Sequence, residues 1–228
     1  FKNLPLTGAY MGSLDFCCKP TFNNISEEKR NKILSVAINE FACNGFENAN
    51  INTIAKKAQV SVGSLYKYFD TKTDLFLTSV NYGIQNLESV MEDVIVSDVP
   101  IMEKFERLIR IAIESSRRDH ILIKLYNVVT SQTNSAVAET VATQMEGITC
   151  EAYKRVIADG QRDGEIRKDI DPGMAAYLVD NILMNIQFTY ACDYYKERFK
   201  IYSGDDIFEK DEVVVANILR FVKAALRA

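Results

Sequence analysis

One short stretch of the chain, residues 54–76, constrains the fold more than any other. It reads IAKKAQVSVGSLYKYFDTKTDLF. The stretch predicts a short apolar helix, a break at Gln59, a second short helix and the start of a third. Asn50 and Ser61 are suitable N-caps for the first two helices, and Thr71–Asp74 is a Thr-x-x-Asp variant of the capping box that opens the third. Two short helices joined by a tight turn indicate a helix-turn-helix.

Apolar residues recur here at helical spacing, which gives each helix one face for a common core. In the first short helix these residues are Ile51, Ile54, Ala55 and Ala58, and in the second they are Leu65 and Phe69. An upstream helix begins after Ser26 with Glu27 and Glu28, acids that suit the positive end of a helix, and stops at Asn44-Gly45. Its apolar stripe consists of Ile33, Leu34, Ala37, Ile38, Phe41 and Ala42. Together with the two short helices, the upstream helix predicts a three-helix DNA-binding head in which the second short helix is presented outward.

The segment from about residue 33 to residue 76 resembles the DNA-binding domain of the TetR family of bacterial transcriptional regulators. The residues that carry the resemblance are Ala37, Phe41, Gly45, Phe46, Ile54, Ala55, Ala58, Val60, Ser61, Gly63, Leu65, Tyr66, Tyr68, Phe69, Lys72 and Leu75. Outside this segment the family is defined by architecture more than by motif, so the resemblance carries little information about a ligand.

Two residues depart from the family pattern. Gln59 stands at a turn position that is usually Gly, so a residue with a Cβ has to tolerate the turn geometry, near the left-handed region. Val62 stands where the family often has Lys, which removes one phosphate or guanine contact and offers a methyl group to a thymine instead. Both departures bear on which operator sequence is read.

The residues around the second short helix supply our predicted DNA contacts. Hydroxyl and ammonium groups that we expect to hold phosphates belong to Ser61, Ser64, Lys67, Tyr68 and Lys72. We expect base edges or methyl groups to be met by Val62, Gly63 and Tyr66. Lys29 or Arg30 adds a phosphate contact from the first helix, and Asn50 completes the predicted set.

The charge distribution agrees weakly with a DNA-binding head. The whole chain carries a net charge of −4, while residues 26–72 contain seven Lys/Arg and five Asp/Glu, a balance of +2 that leaves −6 for the rest. A basic head on an acidic body suits a protein whose body stays away from the phosphates. A difference this small also arises from random scatter of charges.

The second half of the chain is helical in pattern, with helices expected from residue 75 to 96, from Pro100, over 120–130, over 135–159, from Pro172 and over 211–226. Asp171 and Pro172 form an N-cap with Pro at the first helical position. The sequence therefore predicts an all-α protein of about nine helices. We assign a loosely structured arm to residues 1–25, the helix-turn-helix domain to 26–72, and a helical regulatory and dimerisation domain to 73–228.

The resemblance implies a homodimer in which the last two long helices form a four-helix bundle with their copies, over Pro172–Phe199 and Phe208–Leu226. These helices are apolar on more than one face, as expected if they pack both inward and against a second copy. The alternative is that they only close the core of the monomer.

The resemblance also implies an allosteric pocket for a small, mostly apolar effector in the body. Candidate lining residues are Phe105, Ile109, Tyr126, Met145, Tyr153, Met184, Gln187 and Phe188. The alternative is that such aromatic and methionine residues at helical spacing belong to the core. The amides of Asn181, Asn185 and Gln187 interrupt an apolar helix and need partners, which a ligand or a second subunit can supply.

The function we expect is that of a ligand-responsive transcriptional regulator, a repressor in the family's common mode, that binds a palindromic double-stranded DNA operator as a dimer. The alternative keeps the DNA-binding head but makes the body a platform for protein partners without a small ligand.

Other classes of function find little support in the sequence. The lone His120 follows Arg117, Arg118 and Asp119 and has no neighbouring nucleophile motif, so we expect no catalysis, no cofactor and no metal. The five cysteines form neither a metal spacing nor an even disulfide set, which fits reduced thiols in the cytoplasm better than a redox sensor. No apolar run reaches the roughly 18 residues of a membrane span, and residues 1–24 lack the pattern of a signal peptide.

Overall fold

The computed structural model describes residues 18–131 and 135–228, with the backbone but not the side chains of 84–92, 135–138, 140, 141, 144, 145 and 147–149. Within these residues it contains eleven α-helices and one 3-10 helix and no strand, apart from an isolated bridge between Ile166 and Arg227. The predicted all-α class is confirmed, although the predicted helix count was too low. By Cα packing the chain divides into two compact units, Phe1–Tyr82 and Gly83–Ala228.

The first unit contains α1 (Pro20–Asn23), α2 (Glu27–Asn48), α3 (Ile51–Ala58), α4 (Val62–Tyr68) and the beginning of α5 (Lys72–Val96). Its centre is apolar and includes the fully buried side chains of Ile33, Phe41, Ile54, Leu65, Phe69, Leu75 and Phe76. The predicted stop at Gly45 appears as a kink with φ 73° and ψ 170°, after which one more turn continues to Asn48. Glycine suits this position because its backbone lies in the positive-φ region.

The arm predicted over residues 1–25 needs a correction at its end, while residues 1–17 lie outside the described residues. Pro20 begins the short helix α1, and Phe22 is buried against the aromatic rings of Tyr68 and Phe69, at centroid distances of 5.7 and 4.8 Å. The sequence showed no apolar period here because a single buried phenylalanine is enough to fix so short a segment.

The second unit contains the rest of α5 and six further α-helices with a 3-10 helix: α6 (Ile101–Arg118), α7 (His120–Thr130), α8 (Ser135–Arg162), α9 (Pro172–Ala191), α10 (Asp193–Ser203), the 3-10 helix Asp205–Glu209, and α11 (Asp211–Leu226). Helix α9 packs against α6, α7, α8 and α10, while α11 packs against α6. Asp171 caps α9 by accepting the N–H of Met174 at 2.8 Å, with Pro172 at the first helical position as predicted. No helix in these described parts of the chain is long and apolar enough to cross a membrane.

The helix expected from Pro172 to Phe199 is in fact two helices. Cys192 has extended backbone angles (φ −106°, ψ 132°), so α9 ends at Ala191 and α10 begins at Asp193. This break, together with α1 and the 3-10 helix, accounts for the helices that the sequence pattern did not separate. The last helix begins and ends as predicted.

A polar cluster around Arg117 joins three α-helices and the 3-10 helix of the second unit. The Arg117 guanidinium lies 4.7 Å from the ring centroid of Tyr190 on α9. Its Nη2 donates to the carbonyl oxygen of Phe208 at 2.6 Å and to Oδ1 of Asp211 at 2.7 Å. The Tyr190 hydroxyl donates to the same carboxylate oxygen at 2.7 Å. The cluster therefore ties α6 to α9 and to the start of α11.

Replacing Arg117 with alanine should lower the free energy of unfolding by about 1–2 kcal/mol, because hydrogen bonds to charged groups and a cation–π contact are lost together. Arg107→Ala is the matched control, since Arg107 on the same helix pairs with Glu103 on the exposed surface and with no other described residue. Its cost should stay within about 0.5 kcal/mol. Urea titration of both variants measures the difference, and equal losses would contradict a special role for the cluster.

Candidate functional site

The turn between α3 and α4 has the geometry that the sequence predicts. Gln59 has φ 60° and ψ 40°, in the left-handed region, and its backbone N–H is bonded to the end of α3. The Gln59 side-chain oxygen accepts a hydrogen bond from the ammonium of Lys32 on α2. A residue with a Cβ is strained in this conformation by about 1 kcal/mol, and the bond to Lys32 offsets part of that cost.

Both short helices are capped by the predicted residues. Asn50 Oδ1 accepts the N–H groups of Asn52 at 2.8 Å and Thr53 at 3.4 Å, which satisfies two free donors of α3. Ser61 Oγ accepts the N–H of Ser64 at 3.0 Å, and the two serine hydroxyls lie 2.8 Å apart. Asn50, Ser61 and Ser64 are therefore engaged in local caps, which order the start of the helices that carry the predicted DNA contacts.

The outward face of α4 carries the side chains best placed to meet a ligand. Leu65 is buried as predicted, whereas Gly63, Tyr66 and Lys67 are exposed and Val62 is partly exposed. Tyr66 is 48% exposed, although large aromatic side chains usually avoid water. An exposed tyrosine beside an exposed lysine on a capped helix suits contact with base edges and phosphates.

Three side chains that were predicted to contact phosphates have partners inside the first unit. Tyr68 is only 8% exposed and packs its ring against Phe22, and its phosphate contact stays a prediction. The Lys72 ammonium donates to the carbonyl oxygen of Glu47 at 2.9 Å and lies over the ring of Phe46. Arg30 Nη1 donates to the carbonyl oxygens of Asn23 and Ile25, at 2.8 and 2.9 Å.

Lys29 is exposed, with its ammonium 5.8 Å from the Tyr68 ring centroid, and remains available at the surface.

The end of α4 is held by residues just before α2, a contact that the sequence did not reveal. The last carbonyl groups of a helix have no partner within the helix. Here the Tyr66 carbonyl accepts from Lys19 Nζ at 3.0 Å, the Lys67 carbonyl from the Thr21 hydroxyl at 2.5 Å, and the Tyr68 carbonyl from the Lys19 N–H at 2.8 Å. We call Lys19–Phe22 the N-terminal clamp. It fixes the end of α4 from which Tyr66 and Lys67 project.

The predicted effector residues of the second unit fall into two neighbouring groups. Phe105, Ile109 and Tyr153 lie in its main apolar core. Tyr126 and Met184 pack around the buried Phe188 in a smaller cluster that also contains Ile123, Ala191 and Cys192. The side chain of Met145 lies outside the described residues.

The amides on α9 differ in how they are satisfied. Asn181 and Asn185 donate to the carbonyl groups of Tyr177 and Asn181 on their own helix, at 2.7 and 3.0 Å. Gln187 is 7% exposed, and its side chain has no hydrogen bond to the described part of the chain. Among these three residues, only Gln187 has a side-chain amide without a hydrogen-bond partner in the described part of the chain.

Two carboxyl groups missed by the sequence analysis lie beside the predicted effector residues. The Tyr126 hydroxyl on α7 donates to Oε1 of Glu146 on α8 at 3.3 Å. Burial, followed by the negative charge of Glu146, raises the pKa of Asp180 on α9 to about 6. Burial also raises the pKa of Glu146, while the bond from Tyr126 lowers it. Burial and both carboxylates raise the pKa of Tyr153, which places all four groups in one neighbourhood. Asp180 interrupts the apolar pattern of α9 beside Asn181, which is the signal that could have found it.

A separate open depression of about 580 Å³ lies near the start of α9 and is lined by Glu151, Lys154, Arg155, Ala158, Asp171, Pro172 and Gly173. It contains none of the predicted effector residues. Its charged and open lining does not fit a mostly apolar effector.

The tight turn and the outward-facing α4 define a helix-turn-helix DNA-binding protein. Residues 33–78 match the model of the bacterial regulatory proteins of the tetR family. This segment of the chain is therefore similar to the DNA-binding domain of TetR-family transcriptional regulators.

Three relatives illustrate the similarity. The uncharacterised HTH-type transcriptional regulator YhgD of Bacillus subtilis (strain 168) is 23% identical over 164 residues, 72% of this chain and 85% of the relative. The HTH-type transcriptional repressor KstR2 of Rhodococcus jostii (strain RHA1) is 23% identical over 147 residues, 64% of this chain and 72% of the relative. The crystal structure of the transcriptional regulator FadR from Bacillus subtilis in complex with stearoyl-CoA is 21% identical, with a TM-score of 0.67 over 82% of this chain and 96% of that one. These relatives are transcriptional regulators rather than enzymes.

Replacing Thr21 with valine should weaken DNA binding several-fold, because the Lys67 carbonyl loses its donor and the end of α4 becomes less ordered. The measurement is a titration of fluorescent DNA, with circular dichroism to show that the helices remain. Thr21→Ser is the matched control, since it keeps the hydroxyl and should bind like the wild type. Equal DNA affinities of Thr21→Val and the wild type would show that the clamp does not contribute to DNA binding.

Proposed function

We propose that the protein is a ligand-responsive repressor that binds a palindromic operator as a homodimer and leaves it when a small effector binds the second unit. The observation that carries the DNA-binding part is the exposed pair Tyr66 and Lys67 on α4, a helix capped at its start by Ser61 and held at its end by the N-terminal clamp. The relative KstR2 of Rhodococcus jostii is a transcriptional repressor, which supports the repressor assignment.

The exposed apolar side chains of the second unit support the dimer. On α9 they are Met174, Tyr177 and Leu178, and on α11 they are Val213 and Phe221. Tyr177 and Phe221 are 63% and 67% exposed, and exposed apolar side chains of this size on neighbouring turns of a helix are typical of an interface. Both helices pack inward through their opposite faces, so the exposed stripes are available to a second copy.

Dimerisation matters because one head reads only a few base pairs. Two heads related by a twofold axis read two half-sites that lie roughly 34–36 Å apart, one turn of DNA. Helix α5 contributes residues to both units, so an effector that displaces α5 changes this spacing. The effector acts only through its different affinity for the two states, typically about 1–3 kcal/mol. The complex of FadR with stearoyl-CoA supports an effector site in a body of this fold.

Replacing Phe221 with glutamate should produce a monomer, because two carboxylates would be brought into the apolar interface. Sedimentation equilibrium measures the mass, and DNA binding should weaken at least about tenfold since the two half-sites are no longer read together. Val96→Glu is the matched control, because Val96 is 71% exposed but lies on neither α9 nor α11. If the Phe221→Glu variant remains a dimer, Phe221 does not lie in the dimer interface.

The test of the whole proposal is a salt titration of binding to the DNA that flanks the protein's own gene, with a scrambled duplex as competitor. Saturable binding to one palindromic segment is expected. Lys67→Ala should weaken binding to both duplexes and reduce the salt slope by about 1, the loss of one phosphate contact. Lys67→Arg keeps the charge and should keep the slope. Weak binding that does not distinguish the two duplexes would overturn the operator assignment.

A further inference from the structure

Helices α7, α8 and α9 bring acidic and aromatic side chains together inside the second unit. We define the acid–aromatic cluster as Tyr126, Glu146, Asp180, Gln187 and Phe188. The Tyr126 hydroxyl donates to Glu146 and lies 3.6 Å from the sulfur of Met184, and the Tyr126 and Phe188 ring centroids are 5.4 Å apart. These contacts place one carboxyl group of α8 beside the aromatic surface of α7 and α9.

Asp180 has no compensating charge in the described part of the chain. Its carboxyl group forms neither a hydrogen bond nor an ion pair with the described residues, and the charge that acts on it is the like charge of Glu146. Burying an ionised carboxylate without a partner is costly, so such groups normally pair with a cation or a donor. Helix α9 therefore places a half-buried carboxyl group next to Glu146, and no described cation or hydrogen-bond donor is paired with it.

Gln187 is an independent sign that this region accepts a ligand. Asp180, Met184 and Gln187 are four and three residues apart and share one face of α9. Met184 on that face contacts Tyr126, so the face is directed towards α7. The Gln187 amide is buried and has no described partner. Because buried amides nearly always find a partner, the amide is available for a bound molecule.

The aromatic rings complete the recognition chemistry. Phe188 lies between Tyr126 and Tyr195, with ring centroids 5.4 and 5.3 Å away. Aromatic faces attract organic cations as well as apolar groups. The combination of a carboxylate, aromatic faces and a free amide fits a positively charged head group on an apolar body.

We propose that the effector of this regulator is an organic cation, an amine or a quaternary ammonium on an apolar body, whose charge is received by Asp180 and Glu146 among the rings of Tyr126 and Phe188. This inference rests on the proposed ligand-responsive function and names the chemical class of its effector. A free carboxylate head group is disfavoured, because it would meet two acidic side chains in the same buried region.

The test uses three molecules with the same apolar chain and different head groups: decyltrimethylammonium, decanol and decanoate. Calorimetric titration of the full chain, below micelle-forming concentrations, gives the three affinities. The wild type should bind the ammonium compound, bind decanol more weakly and show the least affinity for decanoate. Asp180→Asn keeps the shape and removes the charge, so it should lose about tenfold or more in affinity for the cation and little for decanol.

Two further variants control the experiment. Asp98→Asn removes a carboxylate from an exposed loop position and should bind the cation like the wild type. Glu146→Gln keeps an acceptor for the Tyr126 hydroxyl. It should lower the affinity for the cation and leave the affinity for decanol unchanged, which provides a second measurement if Asp180→Asn is poorly folded. Decanoate binding at least as tight as that of the cation, no cation binding by the wild type, or equal cation affinity in Asp180→Asn, would each overturn the inference.

Operator binding, measured on the same preparations, separates this inference from the proposed function. Saturable operator binding without cation binding would overturn the effector class and leave the DNA-binding role standing. Cation binding that depends on Asp180, without operator binding, would support the effector class and overturn the proposed DNA-binding role. Release of the operator by decyltrimethylammonium in the wild type and not in Asp180→Asn would support both.

Discussion

A seven-residue helix makes few internal hydrogen bonds, and an isolated helix of this length is unstable in water. Helix α4 must nevertheless hold its exposed side chains in a fixed geometry. Its order depends on three external supports: the cap by Ser61, the buried side chains of Leu65 and Phe69, and the donors of the N-terminal clamp. The cap, the apolar core and the N-terminal clamp of the first unit therefore all contact this one short helix.

The second unit faces a different constraint, because its central helix α9 is apolar but carries four polar side chains in its middle. Two of them, Asn181 and Asn185, are satisfied by their own helix and leave the packing unchanged. Asp180 and Gln187 are not satisfied in this way, and they occupy the face turned towards Tyr126. In the proposed complex, a bound molecule supplies the partners that the protein itself does not give to these two side chains.

The sequence predicted the local features well because their causes are local. The caps at Asn50, Ser61 and Asp171 and the left-handed Gln59 follow from side-chain chemistry within a few residues. The contact between Thr21 and Lys67 joins distant parts of the chain and left no periodic signal. The contacts of Tyr68 with Phe22 and of Lys72 with Glu47 were not predicted, because they depend on tertiary packing rather than on the helix on which each residue lies. The acidic pair of Glu146 and Asp180 was missed for the same reason, since it forms only when α8 and α9 pack.

The N-terminal clamp has a consequence for how the DNA-binding part of this protein can be isolated. The segment that matches the family model begins at residue 33, beyond the residues that bind the Tyr66, Lys67 and Tyr68 carbonyl groups. A fragment cut at that boundary would keep every family motif and lose the support at the far end of α4. A fragment that keeps α4 in the geometry described here therefore has to include Lys19 and Thr21, upstream of the segment that matches the family model.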